Sequence, residues 1–285
     1  GIFILGSLHP WRLSSRGGDK LVFRNHFPQP TGVERQRIWE KFLGSETDLS
    51  TETLRYIAGQ FTLTGGQIEN AVFSVQSSSI QTGEPISDED LYLAARQQSS
   101  HHLGKLAQKI DSRYSWNDIV LPQEELDTLA DIISSVRYRS QVLEEWGLGK
   151  KLASSAGISA LFTGEPGTGK TLAAQVVATE LQLDLYRIDL SSVVSKYIGE
   201  TEKNLEKIFQ EAHNSNVVLF FDEADAIFGK RSEVKDAHDR YANIEVGYLL
   251  QRMEAYDGVT ILATNLRTNI DEAFTRRLHY IVNFP

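Results

Sequence analysis

Residues 164–171 read GEPGTGKT, and they follow the apolar run ISALFT at residues 158–163. A stretch typical of a helix, LAAQVV, continues from Leu172. Strand, glycine-rich turn and helix, in this order, form the arrangement that a phosphate-binding loop requires. The glycines let the backbone curl so that successive N–H groups point at a polyphosphate, and the helix N-terminus adds the positive end of its dipole. The alternative is a chance match, but every fixed position and both flanking elements agree with the motif.

Two side chains of this loop have specific predicted roles. Lys170 can reach the β and γ phosphates as a point charge, and the hydroxyl of Thr171 is placed to ligate Mg²⁺. The residues predicted to bind the cofactor from this loop are Gly164, Glu165, Pro166, Gly167, Thr168, Gly169, Lys170, Thr171 and Leu172.

A second acidic motif lies about fifty residues further along the chain, where the apolar run VVLFF (217–221) ends in DEAD (222–225). Ligands of open α/β sheets bind beyond the carboxyl ends of the strands. We therefore predict that Asp222 faces the phosphate loop and holds the Mg²⁺ shell, and that Glu223 polarises the attacking water. An acidic turn that caps a strand is the alternative, and the intact loop upstream favours the catalytic interpretation.

Two further candidates follow. ILAT (261–264) ends in Asn265, which would orient the water if its strand lay between the strands of the two motifs. Asn after a strand is otherwise an ordinary turn residue. Arg276 and Arg277 are either a solvated pair at a helix C-terminus or an arginine finger for the γ-phosphate of a neighbouring subunit.

Composition limits the possible functions. The chain has 285 residues, 41% of them hydrophobic and 24% charged, with a net charge of −9. The acidic balance and the lack of a long basic run argue against a nucleic-acid partner. Cysteine is absent, which excludes disulfides and thiol nucleophiles and fits a cytoplasmic location. No apolar run approaches the roughly 18–20 residues of a membrane span.

The order of apolar runs and amphipathic stretches predicts the architecture. Helical patterns occupy residues 31–43, 50–58, 67–81 and 87 to about 108, followed by a connector and a helix at 123–146. From residue 158 strands alternate with helices, which predicts a parallel sheet covered on both faces. The predicted strands are 158–163, 183–188, 217–221, 259–264 and 279–284. Short strands at residues 1–6 and 21–23 come before the helices.

With GEPGTGKT, VVLFFDEAD, ILATN and IDEAFTRR in this order, residues 115–285 resemble the large subdomain of an AAA ATPase. The resemblance implies an α/β P-loop fold of three layers around a five-stranded parallel sheet, with ATP and Mg²⁺ as cofactors. WNDIV (116–120) is similar to the family's entry motif, whose backbone at Ile119 and Val120 would contact adenine. SKYIGETEKNL (195–205) is similar to the first pore loop, in which Lys196, Tyr197 and Ile198 would grip an extended peptide. An ordinary loop tyrosine is the alternative there.

The helical block resembles the lid subdomain of the same family. A weak repeat, GIFILGS with LVFRNHFP against VTILATN with HYIVNFP, indicates a tandem AAA protein with a degenerate first module. We expect three regions: 1–29 as the last strands of a truncated, degenerate AAA core, 30–110 as the lid-like helices, and 111–285 as a large subdomain without its own lid. We therefore expect the sequence to be a piece of a longer chain.

The leading functional expectation is ATP hydrolysis coupled to remodelling or unfolding of a protein or peptide substrate by a homo-hexamer. A nucleotide-dependent assembly scaffold is the alternative, and a DNA-directed AAA+ motor is disfavoured by the acidic balance. Tandem bacterial AAA ATPases of this general appearance are associated with phage-tail-like injection machines and with chaperone work.

Overall fold

The computed structural model describes residues 25, 27–44, 49–99, 106–139, 141–142, 157–194, 199–213, 217–228, 237–265 and 275–285. The short strands predicted at residues 1–6 and 21–23 lie outside these ranges, as do the pore-loop residues 195–198.

Four helices form the amino-terminal helical unit: α1 (Gly32–Leu43), α2 (Thr51–Gln60), α3 (Gly65–Thr82) and α4 (Asp88–Ser99). Thr31 caps α1 as predicted, through a capping box with Glu34. Thr64 and Gln67 form the same box at α3. This box explains why α3 starts at Gly65, two residues earlier than predicted: the cap satisfies the first N–H groups although glycine is a weak helix former.

The described part of helix α4 ends at Ser99, and the helix does not run to Gln108 as predicted. Gln108 and the first two residues of the predicted connector form a short strand, β1 (Gln108–Ile110). Strand β1 pairs antiparallel with β3 (Asp184–Asp189). A three-residue edge strand carries too little periodicity for a sequence pattern to reveal it.

The remaining elements form the α/β unit. A turn of 3₁₀ helix (Trp116–Asp118) is followed by α5 (Gln123–Arg137), β2 (Ile158–Gly164), α6 (Lys170–Glu180), β3, α7 (Leu190–Val193), α8 (Glu200–His213), β4 (Val217–Asp222), α9 (Asp225–Phe228), α10 (Ala237–Ala255), β5 (Val259–Thr264) and β6 (Tyr280–Phe284). The five predicted strands agree with β2 to β6 within one residue at each end.

The sheet has the order β1-β3-β4-β5-β2-β6, and every pair except β1 with β3 is parallel. Strand β5 lies between β2 and β4, so the segments that follow these three strands meet at one edge. Side chains alternate between two apolar cores: Phe162 and Phe220 enter the core with α5 and α6, while Leu161 and Phe221 enter the core with α8 and α10.

The helical unit is packed onto the α/β unit. Its buried side chains, Trp39 and Leu91 among them, belong to the same apolar core as one face of the sheet. The carboxylate of Asp184 at the start of β3 is 2% exposed and pairs with Arg96 of α4 and, at 2.8 Å, with Lys109 of β1. This ion pair joins helix α4, the edge strand and the sheet.

Candidate functional site

The loop between β2 and α6 has the curled backbone that its glycines predict. Gly167 and Gly169 adopt φ angles of +86° and +102°, which side-chain-bearing residues rarely take. A Cβ atom on Gly164 would lie 2.3 Å from the carbonyl oxygen of Phe284 in β6, so only glycine fits there. The amide of Ala173 donates to Gly169 as the first helical bond of α6. The N–H groups of the three preceding residues therefore have no carbonyl of their own helix as partner and point out of its N-terminus.

Lys170 is the first residue of α6 and is 8% exposed. Its ammonium donates to the carbonyl oxygens of Gly164 at 2.7 Å and Glu165 at 2.9 Å, and to Oδ1 of Asn265 at 3.0 Å. Burial lowers the pKa of Lys170 from its ordinary value of 10.5, while nearby carboxylates, Asp222 first, favour the charged form and oppose this shift. The lysine thus links the loop to the end of β5.

The end of β4 carries the acidic motif at the same edge. Oδ1 of Asp222 accepts the N–H of Glu223 at 3.0 Å. Glu223 has a φ of +56°, an uncommon conformation for a residue with a side chain, and such conformations cluster at functional sites. The next amide, of Ala224, donates to Ala263 in β5 at 2.9 Å, which fastens this strained turn to the neighbouring strand.

Asp225 orients Asn265. One carboxylate oxygen of Asp225 accepts the hydroxyl of Thr264 and, at 3.0 Å, the backbone N–H of Asn265; the other accepts Nδ2 of Asn265 at 3.1 Å. Because an ionised carboxylate only accepts, it turns the amide so that Oδ1 of Asn265 faces Lys170. Asp225, Asn265 and Lys170 therefore form a continuous chain from β4 to the phosphate loop.

The structure thus brings together the predicted residues of the phosphate loop, Asp222, Glu223 and Asn265. Thr171 lies in the first turn of α6, beside Lys170. Ile119 is half-buried against the apolar core, whereas the Val120 side chain is 92% exposed. No contact joins these two residues to the loop among the interactions of the described residues, so their predicted contact with adenine stays a prediction.

The two arginines precede β6. Arg277 is exposed and pairs with Glu254 of α10 at 3.8 Å. Arg276 is likewise exposed, and its role as an arginine finger stays a prediction because one chain carries no subunit interface. Tyr197, with Lys196 and Ile198, falls outside the described residues, so its role in a pore also stays a prediction.

The residues present fit a nucleotide and Mg²⁺. The curled loop and the helix N-terminus offer N–H donors for phosphate, and the Lys170 ammonium lies among them. Thr171 and Asp222 supply a hydroxyl and a carboxylate, the oxygen ligands that Mg²⁺ prefers. Glu223 follows Asp222 directly and is exposed, so its carboxylate is available to a water molecule.

A cavity of about 520 Å³ lies elsewhere, between the helical unit and the amino ends of the strands. Tyr56, Arg137 and the first residues of β2, β4 and β5 are among its lining. Nucleotides bind at the carboxyl ends of parallel strands, so this cavity is not the nucleotide site despite its size.

Comparison with known proteins agrees with the site. The family described as "ATPase family associated with various cellular activities (AAA)" matches residues 160–285, which include both motifs and Asn265. An AAA family ATPase of Sinorhizobium fredii, y4kL, is 34% identical over 179 residues, which are 62% of this chain and 52% of the relative. The chain belongs to the AAA ATPase family.

Other relatives of this AAA ATPase chain are longer proteins. A Cell division cycle protein 48 homolog of Archaeoglobus fulgidus is 41% identical over 118 residues, which are 41% of this chain and 16% of that protein. The Peroxisomal ATPase PEX6 of Arthrobotrys oligospora is 30% identical over 273 residues, which are 86% of this chain and 23% of that protein. The chain therefore spans about half the length of the first relative and a quarter or less of the other two.

The helical unit of this AAA ATPase chain matches a separate family. Residues 31–101 match the family described as "Contractile injection system ATPase helical domain". None of the helices in the described part of the chain has the length and apolar character needed to cross a membrane.

Sequence reasoning missed two residues of the AAA site. Asp225 is the last residue of DEAD, and the sequence predicts no separate role for it. Arg187 of β3, which pairs with Asp222 at 2.7 Å, belongs to none of the motifs. The available signal for Asp225 was its position three residues after Asp222, one helical turn into the segment that follows β4. The available signal for Arg187 was a cation in the middle of a largely buried strand.

Proposed function

We propose that this chain binds and hydrolyses ATP at the carboxyl edge of its sheet. The observation that carries the proposal is the chain of contacts from the phosphate loop through Lys170 and Asn265 to Asp225, with Glu223 two residues before Asp225 in the sequence. This arrangement joins a phosphate cradle, a cation and a carboxylate base in one small volume, which is the combination that phosphoryl transfer to water needs.

Each residue has a distinct role in this proposal. The loop amides and the Lys170 ammonium hold the β and γ phosphates, and Lys170 exchanges its bonds to loop carbonyls for stronger ones to phosphate oxygens. Glu223 accepts a proton from the attacking water, and Asn265 orients that water. Thr171 and Asp222 hold Mg²⁺, which when bound would neutralise charge on the phosphate oxygens.

Glu223→Gln tests the hydrolytic role. The amide keeps the size of the side chain but cannot take a proton, so we expect turnover to fall by about 10²–10⁴-fold while ATP affinity is retained. Steady-state phosphate release and equilibrium binding of a fluorescent ATP analogue measure the two effects. Glu245→Gln, which changes a carboxylate of α10 outside the site, is the matched control. Unchanged phosphate release by Glu223→Gln would remove Glu223 from its role.

We further propose that the active form is a homo-hexamer in which Arg276, with Arg277, completes the site of the neighbouring subunit. A planar, permanently charged guanidinium suits the charge of a phosphoryl transition state. Arg276→Ala is expected to abolish turnover, and mixing it with Glu223→Gln subunits is expected to restore part of it. Full activity of a strictly monomeric wild-type chain would contradict this arrangement.

The proposed work of the hexamer is remodelling of a protein substrate gripped by Tyr197. The match of residues 31–101 to the helical domain of contractile injection system ATPases supports a place in such a system. On this proposal residues 30–110 are the lid of a preceding, degenerate AAA module and 111–285 the large subdomain of an active one. Turnover that an unfolded peptide stimulates in the wild type but not in Tyr197→Ala would support it. A scaffold would show nucleotide-dependent assembly without such stimulation, and a DNA-directed motor would show salt-dependent DNA binding.

A further inference from the structure

A second cation, Arg187, lies at the nucleotide site in addition to Lys170. It is carried by β3, the strand beside β4, and its Nη2 is 2.7 Å from Oδ2 of Asp222. The other oxygen of this carboxylate, Oδ1, accepts the N–H of Glu223 at 3.0 Å. Both oxygens of the proposed metal-holding carboxylate therefore have a partner within the chain.

The ion pair with Asp222 holds the guanidinium of Arg187 in place. The Asp222 side chain is 17% exposed and that of Arg187 41%, so the pair lies at the rim of the site. Within the described part of the chain, Nε of Arg187 is buried and has no hydrogen-bond partner. A guanidinium fixed at one end by a single carboxylate can rotate away when that carboxylate takes another cation.

The permanent charge of Arg187 affects how Asp222 can bind a metal ion. Arginine keeps its charge at every physiological pH, so Arg187 cannot release Asp222 by losing a proton. A divalent cation or its bound water that approaches Oδ2 must displace this guanidinium or share the oxygen with it. Attraction between Asp222 and the metal is then reduced by the energy of the ion pair that is lost.

We propose that Arg187 competes with Mg²⁺ for Asp222, and that it thereby sets the Mg²⁺ concentration at which the nucleotide site is fully formed. The inference rests on the proposed function, since it concerns the same site. It assigns Arg187 as a positioning residue that acts through Asp222, and it makes Mg²⁺ recruitment weaker than the loop, Thr171 and Asp222 alone would allow.

The test is a Mg²⁺ titration of the 285-residue chain with a fluorescent ADP analogue. Arg187→Met keeps most of the length of the side chain and removes its charge, whereas Arg187→Lys keeps the charge. We expect Arg187→Met to lower the half-saturating Mg²⁺ concentration about fivefold, which corresponds to about 1 kcal/mol, the upper range for a rim ion pair. Arg187→Lys should lie between Arg187→Met and the wild type, and all three should bind the analogue equally in EDTA.

Arg252→Met is the matched control, because Arg252 also makes a partly exposed ion pair, with Glu206 at 3.0 Å, but on the outer helices α8 and α10. Its Mg²⁺ requirement should equal that of the wild type. An unchanged requirement in Arg187→Met would overturn the competition, and a higher one would show instead that Arg187 orients Asp222 for the metal. If Arg187→Met fails to fold, the Arg187→Lys chain decides the test, because its ammonium cannot reproduce the guanidinium contact. A wild-type Mg²⁺ requirement in the folded Arg187→Lys chain would then overturn the competition. Wild-type chain that binds no analogue, with or without Mg²⁺, would overturn the proposed function itself.

Discussion

Asp225→Asn tests the orientation of the Asn265 side chain, because it leaves Asn265 in place and removes the carboxylate that orients it. The carboxylate of Asp225 accepts three hydrogen bonds, from Thr264, the backbone N–H of Asn265 and Nδ2 of Asn265. The introduced amide has one accepting and one donating end. Whichever way it turns, its NH₂ group faces a donor of Asn265, either the backbone N–H or the side-chain amide. The Asn265 amide must then rotate or move, and its 3.0 Å bond to Lys170 is lost.

The structure sets the size of two separate effects. A hydrogen bond to a charged group contributes about 1.5–3 kcal/mol, and the exposure of Asn265 places the loss of stability at the low end of this range, about 1.5 kcal/mol. The kinetic effect is larger, because a displacement of about 1 Å in a positioning group costs about 10²-fold in rate. Nucleotide affinity should change less than about threefold, since the loop backbone is untouched.

Phosphate release under saturating ATP, fluorescent-nucleotide affinity and thermal unfolding measure the three quantities in one preparation. Asp90→Asn is the matched control, because Asp90 accepts two hydrogen bonds from Ser87 at the start of α4, far from the sheet edge. It should lose stability without losing turnover per folded molecule. A turnover number for Asp225→Asn within about twofold of wild type would refute the role of the Asp225–Asn265 contact in catalysis.

Three other predictions concern the framework. Tyr256→Phe should lose about 1–2 kcal/mol of unfolding free energy in urea, because the buried hydroxyl donates to the Val217 carbonyl at 2.9 Å; an unchanged midpoint would contradict this. Arg96→Met should cost about 2 kcal/mol and more than Asp184→Asn, since it leaves a buried carboxylate short of a cation; the reverse order in the same titration would refute the argument. Burial lowers the pKa of His279 from 6.5, so the folded state binds fewer protons than the unfolded one and stability falls as pH drops below about 6.5. His279→Gln should flatten that fall in urea titrations between about pH 5 and 7, and an equal slope would count against it.

The strands and the phosphate loop could be predicted from the sequence because their signals are local. Strands β2, β4 and β5 are buried on both faces, so each appears as a nearly continuous apolar run. The edge strand β6 and the strand β3, which carries charged residues, were still recognisable from their shorter apolar stretches. The loop was visible because its glycines and its lysine serve a geometry that extends over only eight residues. Thr31 as the cap of α1 belongs to the same class of local signals.

Contacts between distant segments could not be predicted in the same way. The pair of Arg187 with Asp222 joins residues on two strands and depends on their register. The ion pair of Asp184 with Arg96 depends on how the helical unit packs onto the sheet, which no pattern in either segment contains. Strand β1 exists because the free edge of β3 accepts a partner, and its three residues have no strand signal of their own.

The order of the strands is the step that converts these local signals into a site. Were β5 at an edge of the sheet, Asn265 would lie away from the loop and the DEAD motif would face a different strand. Its place between β2 and β4 puts Thr264 level with Thr163, and the turn after β4 is fastened to β5 at Ala263. A single strand therefore carries the contacts to both motifs, so a change that shifts β5 must disturb the cation and the carboxylates together. For this reason, substitutions of the buried, purely structural residues of β5 are expected to reduce turnover more than comparable substitutions of the buried residues of the edge strand β6.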